Sequence, residues 1–237
     1  MIKPGKPMGD TPRLFVMLSL LSLSGGAMAE TGHDHHEQAP SELAPDPRPA
    51  GMAEMSIYQL GSTWRDDRSV ACPIDTLSGQ PVVLAMVYTS CEYVCPMLLE
   101  DMKQIEIQLE PAARKAITFA LFSFDPERDS PVALATYRIQ QSLDAQNWRL
   151  FTGAPNDILE LAAVLGVRYK PDGYGGFSHS NIITVLDADG IVRHQQVGLR
   201  QPTDAIVTVL KDLSESEKRS EERRVGKECR SRWSPYH

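Results

Sequence analysis

The 237-residue chain has no apolar run as long as the roughly 20 residues that a membrane-spanning helix needs. Its best candidate, Leu14 to Leu23, is about half that length. Lys3, Lys6 and Arg13 precede this stretch and Ala27-Met28-Ala29 follows it, the layout of a signal peptide with a small-x-small cleavage site. Residues 1–29 are therefore expected to be a cleaved leader. The mature chain would then start near Glu30, soluble in the periplasm, where disulfides can persist. If the leader were retained, residues 14–29 would instead act as an anchor. Basic charge is also scarce: residues 30–218 hold 15 Lys and Arg against 27 Asp and Glu, a net −12. A surface of that sign repels a phosphate backbone, which argues against a nucleic-acid partner. The chain has no internal repeat, no glycine-rich phosphate loop and no C-x-x-C pair, so solenoid, nucleotide-binding and simple dithiol-exchange readings lack their usual signals.

Both ends stand apart from the middle. Residues 219–237 resemble the in-frame translation of a sequencing-adapter oligonucleotide. They are polar and show no apolar periodicity. A disordered tail is expected over 214–237, with 219–237 artefactual, and Cys229 and His237 are set aside as ligands. Residues 30–54 contain Pro40, Pro45, Pro47 and Pro49 with little apolar content, as in an extended arm. Within it, Gly32-His33-Asp34-His35-His36-Glu37 gathers three imidazoles and two carboxylates. That composition fits either an acidic linker or a weak auxiliary metal site at His33, His35 and His36.

The remainder, 55–213, reads as one domain of ordinary size. A hairpin is expected around Asp66-Asp67-Arg68. Strands are predicted at 82–88, 117–123, 148–151, 182–186 and 191–197, and helices at 96–109, 131–142, 156–165 and 203–213. A loop is expected at 168–181, and Asp187-Ala188-Asp189-Gly190 supplies turn chemistry between the last two strands. Alternating βα units followed by a β-hairpin and a closing helix define an α/β fold of thioredoxin-like type, a central mixed sheet flanked by helices with an N-terminal hairpin.

Chemistry concentrates at Cys91-Glu92-Tyr93-Val94-Cys95-Pro96, between the apolar strand and the first helix. Unpaired N–H groups at a helix start lower a thiol pKa, and the thiolate is both nucleophile and metal ligand. Two soft sulfurs four positions apart suit Cu(I), Zn(II) or a redox disulfide. A distant imidazole is a candidate third group, because His179 in Gly175-Gly176-Phe177-Ser178-His179-Ser180 stands directly before strand 182–186, where the fold would face it to the cysteines. Phe177 and the glycines would set the angle of that loop. Asp125, in Ser123-Phe124-Asp125-Pro126-Glu127-Arg128-Asp129-Ser130-Pro131, ends the neighbouring strand at the same edge, where open α/β sheets collect functional groups. Asp129 and Ser130 read as turn or helix-cap residues.

Cys91-x-x-x-Cys95-Pro96, the Asp125 loop, and Gly-Phe-Ser-His179-Ser before Ile-Ile-Thr-Val-Leu-Asp together resemble the Sco/SenC copper-chaperone family, over about residues 56–212. The resemblance implies a thioredoxin-like domain that binds one copper through Cys91, Cys95 and His179. It places Asp125 where the family has a functional aspartate, beside the metal or against a partner. It further implies that the protein assists assembly of the dinuclear copper centre of cytochrome c oxidase, with that enzyme's copper-bearing subunit as partner and a separate chaperone as upstream copper donor. Many members keep an N-terminal anchor, whereas this leader reads as cleaved. Two alternatives stay open at this point: a thiol-disulfide oxidoreductase that keeps the partner's cysteines reduced through Cys91 and Cys95, and a copper or redox sensor.

Remaining candidates are read as background. Cys72, before Pro73, is a small buried or half-exposed thiol. His194 alternates onto a polar strand face, and Met86, Met97 and Met102 follow core spacing. Tyr93 is expected to cover the metal or to meet the partner.

Overall fold

The computed structural model describes residues 55–232, and side chains as far as Arg219. Residues 1–54, which include the expected leader and the expected arm with His33, His35 and His36, and residues 233–237 lie outside the described residues. Seven strands form the main sheet. They are β1 (Thr63–Asp66), β2 (Ala71–Pro73), β3 (Val82–Val87), β4 (Thr118–Ser123), β5 (Trp148–Gly153), β8 (Ile182–Leu186) and β9 (Val192–Val197), in the order β2-β1-β5-β4-β3-β8-β9. β3 runs parallel to β4 and antiparallel to β8, so it lies inside the sheet, and all six of its residues are buried. That burial is why its sequence is an unbroken apolar run rather than an alternation. β4 and β5 are parallel, while β1 joins β5 and β2 antiparallel, with Trp64 opposite Cys72. The sheet is mixed and flanked by helices, and the fold is thioredoxin-like.

Among the described residues there are five α-helices: α1 (Val94–Gln108), α2 (Pro111–Lys115), α3 (Pro131–Gln140), α4 (Pro155–Leu165) and α5 (Asp204–Arg232). α1 turns Leu98, Leu99, Met102 and Ile105 inward, at the spacing of one apolar helical face. Prolines sit in the first turns of α1, α2, α3 and α4, where the missing N–H would have had no helical partner. Asp101 on α1 accepts from the Arg200 backbone N–H at 2.7 Å, which ties the cysteine-bearing helix to the segment leading into α5.

Several expectations change. α1 starts at Val94, not residue 96, so Cys95 lies in its first turn and Cys91 precedes the helix. Residues 168–181 are not plain loop: β6 (Tyr169–Pro171) and β7 (Phe177–His179) form a separate two-stranded antiparallel sheet with Tyr169 opposite His179. Its strands are too short for alternation to reveal. α5 does not stop at residue 213, and residues 214–232 are helical rather than a disordered tail. Ser214 is buried and Leu213 packs on the core, and the good helix formers that follow meet no proline before Pro235. The polarity of this stretch marks a helix without an apolar face, not the end of the helix. His194 is half-buried in β9, opposite Val185.

Candidate metal centre

The site lies at the carboxyl end of β3, where the chain leaves the sheet and enters α1. Cys91 N–H reaches back to the Tyr88 carbonyl at 3.3 Å, closing a turn that puts Cys91 under the start of the helix. There the Cys95 backbone N–H, one of the donors a helix start leaves unpaired, donates to Cys91 Sγ at 3.3 Å. Cys91 is half-buried and Cys95 has no exposed surface. Neither is in a disulfide.

His179, at the end of β7, comes in from the opposite side. Its Nε2 lies 3.5 Å from Cys95 Sγ, and the donor atoms of Cys91, Cys95 and His179 all fall within 4.8 Å of one another. The other ring nitrogen, Nδ1, is 3.2 Å from the Ser180 carbonyl. A carbonyl can only accept, so Nδ1 donates to it, and this bond turns Nε2 toward the sulfurs. Packing fixes the ring plane as well: Phe124 lies 5.2 Å and Tyr88 6.1 Å away between ring centroids. Among the described residues, this is the one cluster of His, Cys, Asp and Glu tight enough to hold a metal ion.

Electrostatics separate the two thiols. Cys91 is held well below the usual thiol pKa, first by the Cys95 side chain, against the opposing effect of burial, and then by His179 and the backbone N–H groups of Cys95 and Tyr93. Cys95 is pushed well above it by burial, and next by Cys91 itself. One sulfur is thus ionised and reachable, and the other is protonated and enclosed. Tyr88 lies beneath both. Its hydroxyl accepts from the Phe177 N–H at 3.3 Å and bonds the Cys91 side chain, and burial pushes its pKa up to about 12.

Asp125 is not among the three donors. Its buried carboxylate accepts from Arg128 Nε, and Arg128 Nη1 donates to the Gly175 carbonyl on the histidine hairpin. Asp129, read above as a turn or cap residue, does neither job. The cap of α3 is Ser130, whose hydroxyl accepts from Ala133 N–H at 3.3 Å. Asp129 is fully buried and accepts from Thr89 N–H at 2.9 Å, Thr89 Oγ1 at 2.5 Å and Ser123 Oγ at 2.6 Å. It therefore pins the turn two residues before Cys91 to the end of β4. Tyr93 is 75% exposed and so is not packed as a cover. Met86 and Met102 are core residues, Met97 is half-buried, and Cys72 is a buried free thiol whose pKa burial raises.

A thioredoxin-like domain with two unequal thiols and an oriented imidazole at one sheet edge describes a thiol-imidazole metal or redox protein. The SCO1/SenC family model matches residues 65–215, and the chain belongs to that family. It is 28% identical over 170 residues to a Stutzerimonas stutzeri protein named for copper binding, covering 70% of this chain and 80% of that one. The Bradyrhizobium japonicum ScoI structure with copper bound superposes with a TM-score of 0.52 at 23% identity, over 64% of this chain and 96% of that one. BsSco, described as a Sco-family cytochrome c oxidase assembly protein with a disulfide switch, gives 0.58 at 24% identity, over 68% and 95%. Among the described residues, no helix is long and apolar enough to cross a membrane.

Proposed function

We propose that this protein binds one copper ion through Cys91, Cys95 and His179 and carries it as cargo to the copper-bearing subunit of cytochrome c oxidase during assembly of the dinuclear centre. The observation that carries this reading is the convergence of two sulfurs and one imidazole nitrogen within 4.8 Å. Donor bonds of roughly 2.0–2.3 Å place three trigonal donors about 3.5–4 Å apart, so a small contraction closes this group on an ion. Two thiolates and an imidazole suit Cu(I); Cu(II) would add water or another oxygen ligand. The Asp125 carboxylate is not available for that position while it holds Arg128.

Release follows from the same asymmetry. Cys91 is the accessible ligand, so an incoming thiolate or imidazole from a partner can replace it first, while Cys95 and His179 still hold the ion. The upstream donor would load the site by the reverse exchange. An exported, periplasmic location fits the leader-like residues 1–29, and the domain over 55–213 would be the copper-binding unit.

One observation favours a second reading, a thiol-disulfide oxidoreductase: the pair combines an accessible thiol of lowered pKa with an enclosed thiol of raised pKa. Cys91 would attack a partner disulfide and Cys95 would resolve the mixed disulfide. Two electrons and two protons would pass to the partner, leaving a Cys91–Cys95 disulfide that cannot hold copper.

The test is to reduce the protein, load it with Cu(I), remove excess metal and compare wild type with His179→Ala. The expected result is one copper per wild-type chain and substantial loss in the variant. Equal copper in both sinks the ligand assignment. Catalytic turnover of a partner disulfide by metal-free protein would establish the second reading; a single stoichiometric reaction would count against it.

A further inference from the structure

We infer that Arg128 is a positioning residue for the copper site: it ties the tip of the histidine hairpin to Asp125 and thereby sets where His179 stands relative to the two sulfurs. The inference rests on the copper reading above. Cys91 and Cys95 come from one continuous segment, anchored by β3, α1 and the Asp129 bonds to Thr89 and Ser123. His179 comes from β6–β7, three residues per strand and outside the seven-stranded sheet. A two-stranded hairpin this short does not hold its own position, so side-chain ties must.

Those ties converge on the loop between the strands. Asp172 Oδ1 accepts from the backbone N–H groups of Tyr174 at 2.7 Å and Gly176 at 2.9 Å, which shapes the loop but attaches it to nothing else. Phe177 packs against Tyr88 and Phe124, with centroids 5.3 and 5.4 Å away. Arg128 supplies the charged attachment. One arm of its guanidinium donates to the Asp125 carboxylate, another to the Gly175 carbonyl, and the group stands 5.6 Å from the Phe177 ring centroid. The Asp125 carboxylate is buried and in turn holds the guanidinium in place. The rigid fork can serve two acceptors in different directions, which a lysine ammonium on a flexible stem does far less well. Asp125 thus acts on the site through Arg128 rather than as a ligand.

The test uses the full chain and the variants Arg128→Ala, Arg128→Lys, His179→Ala and Arg128→Ala/His179→Ala, with Cu(I) affinity read by competition against a chromogenic chelator. Groups that orient a metal-binding histidine typically contribute about 10–100-fold in affinity, and that loss is expected for Arg128→Ala, with little recovery in Arg128→Lys. In the His179→Ala background, the same substitution should cost nothing further. In metal-free protein, amide exchange at residues 172–179 should speed up while β8 stays protected. Wild-type affinity in Arg128→Ala, an equal loss in the His179→Ala background, or unchanged exchange over 172–179 overturns the inference and leaves the copper reading standing. Failure of wild type to hold copper, or equal copper in His179→Ala, overturns both. If Arg128→Ala does not fold, Arg128→Lys carries the same comparisons.

Discussion

Cys95 Sγ and His179 Nε2 lie 3.5 Å apart, although 84 residues separate them in sequence. The two stand on different elements, the first turn of α1 and the end of β7. Their meeting therefore depends on β8 pairing beside β3, which brings the histidine loop to the edge where the cysteine segment leaves the sheet. Substitutions that loosen either attachment should weaken copper binding even where the ligands themselves are intact.

The thiols should differ in reactivity. With its pKa lowered, Cys91 should react with iodoacetamide at a nearly constant rate from about pH 8 down to about pH 5, whereas an ordinary cysteine slows below its pKa near 8.5. Cys95, enclosed and raised, should stay unmodified in folded protein. Peptide mapping of the reduced, metal-free chain decides it; a Cys91 rate that falls through pH 8.5 contradicts the lowered pKa. Stability follows the same signs. The contribution of ionised Cys91 is fully present above the unfolded thiol's pKa and is lost as pH falls through its lowered folded value. The contribution of Cys95 is present below the unfolded pKa and is lost as pH rises toward its raised folded value.

Asp129→Ala should destabilise the domain severely. It leaves the Thr89 N–H and the Thr89 and Ser123 hydroxyls without their acceptor, and unsatisfied buried groups cost about 1–3 kcal/mol each. With partial relaxation, a loss of about 2–4 kcal/mol in urea unfolding is expected. Asp129→Asn, which keeps one acceptor oxygen, should lose less. A change within about 0.5 kcal/mol, the range of ordinary surface substitutions, would show that this carboxylate does not hold the cysteine turn.

Gly176→Ala tests the histidine hairpin by crowding. An added Cβ would stand 2.7 Å from Asp172 Oδ2 and 3.0 Å from the Tyr88 hydroxyl, so the loop must shift away from the aromatic residues behind the site. Overpacking of this kind costs about 1–3 kcal/mol, and here it should appear mainly as weaker Cu(I) binding, because the hairpin lies outside the main sheet. Chelator competition alongside thermal unfolding separates the two effects. Unaltered affinity would mean that the hairpin tolerates the shift.

Deleting Gly32 to Glu37 should leave Cu(I) stoichiometry at the thiol site unchanged and remove weak Cu(II) binding by His33, His35 and His36. Equilibrium dialysis against each oxidation state is the measurement. Loss of the Cu(I) equivalent would instead make the arm part of the main site.

Much of the frame was legible because its signals are local. The buried run at β3 and the helical spacing through Met102 and Ile105 announce a strand and a helix, and a dithiol between them announces soft-metal or redox chemistry. The histidine hairpin was not legible, because three-residue strands show no period and its glycines resemble any loop. The role of Asp129 was not legible either, because Asp before Ser and Pro has the pattern of a cap, and only burial distinguishes a cap from a buried acceptor.

By itself, the sequence determined the identity of the reactive groups, their local spacing and the order of elements around them, since residue type and periodicity carry that information without reference to distance. Only the tertiary structure decided which groups meet. It oriented His179 through the Ser180 carbonyl, ionised one cysteine while enclosing the other, and gave Asp125 to Arg128 and Asp129 to the cysteine turn. Contacts and burial set hydrogen bonding and ionisation, and these come from residues far apart in the chain.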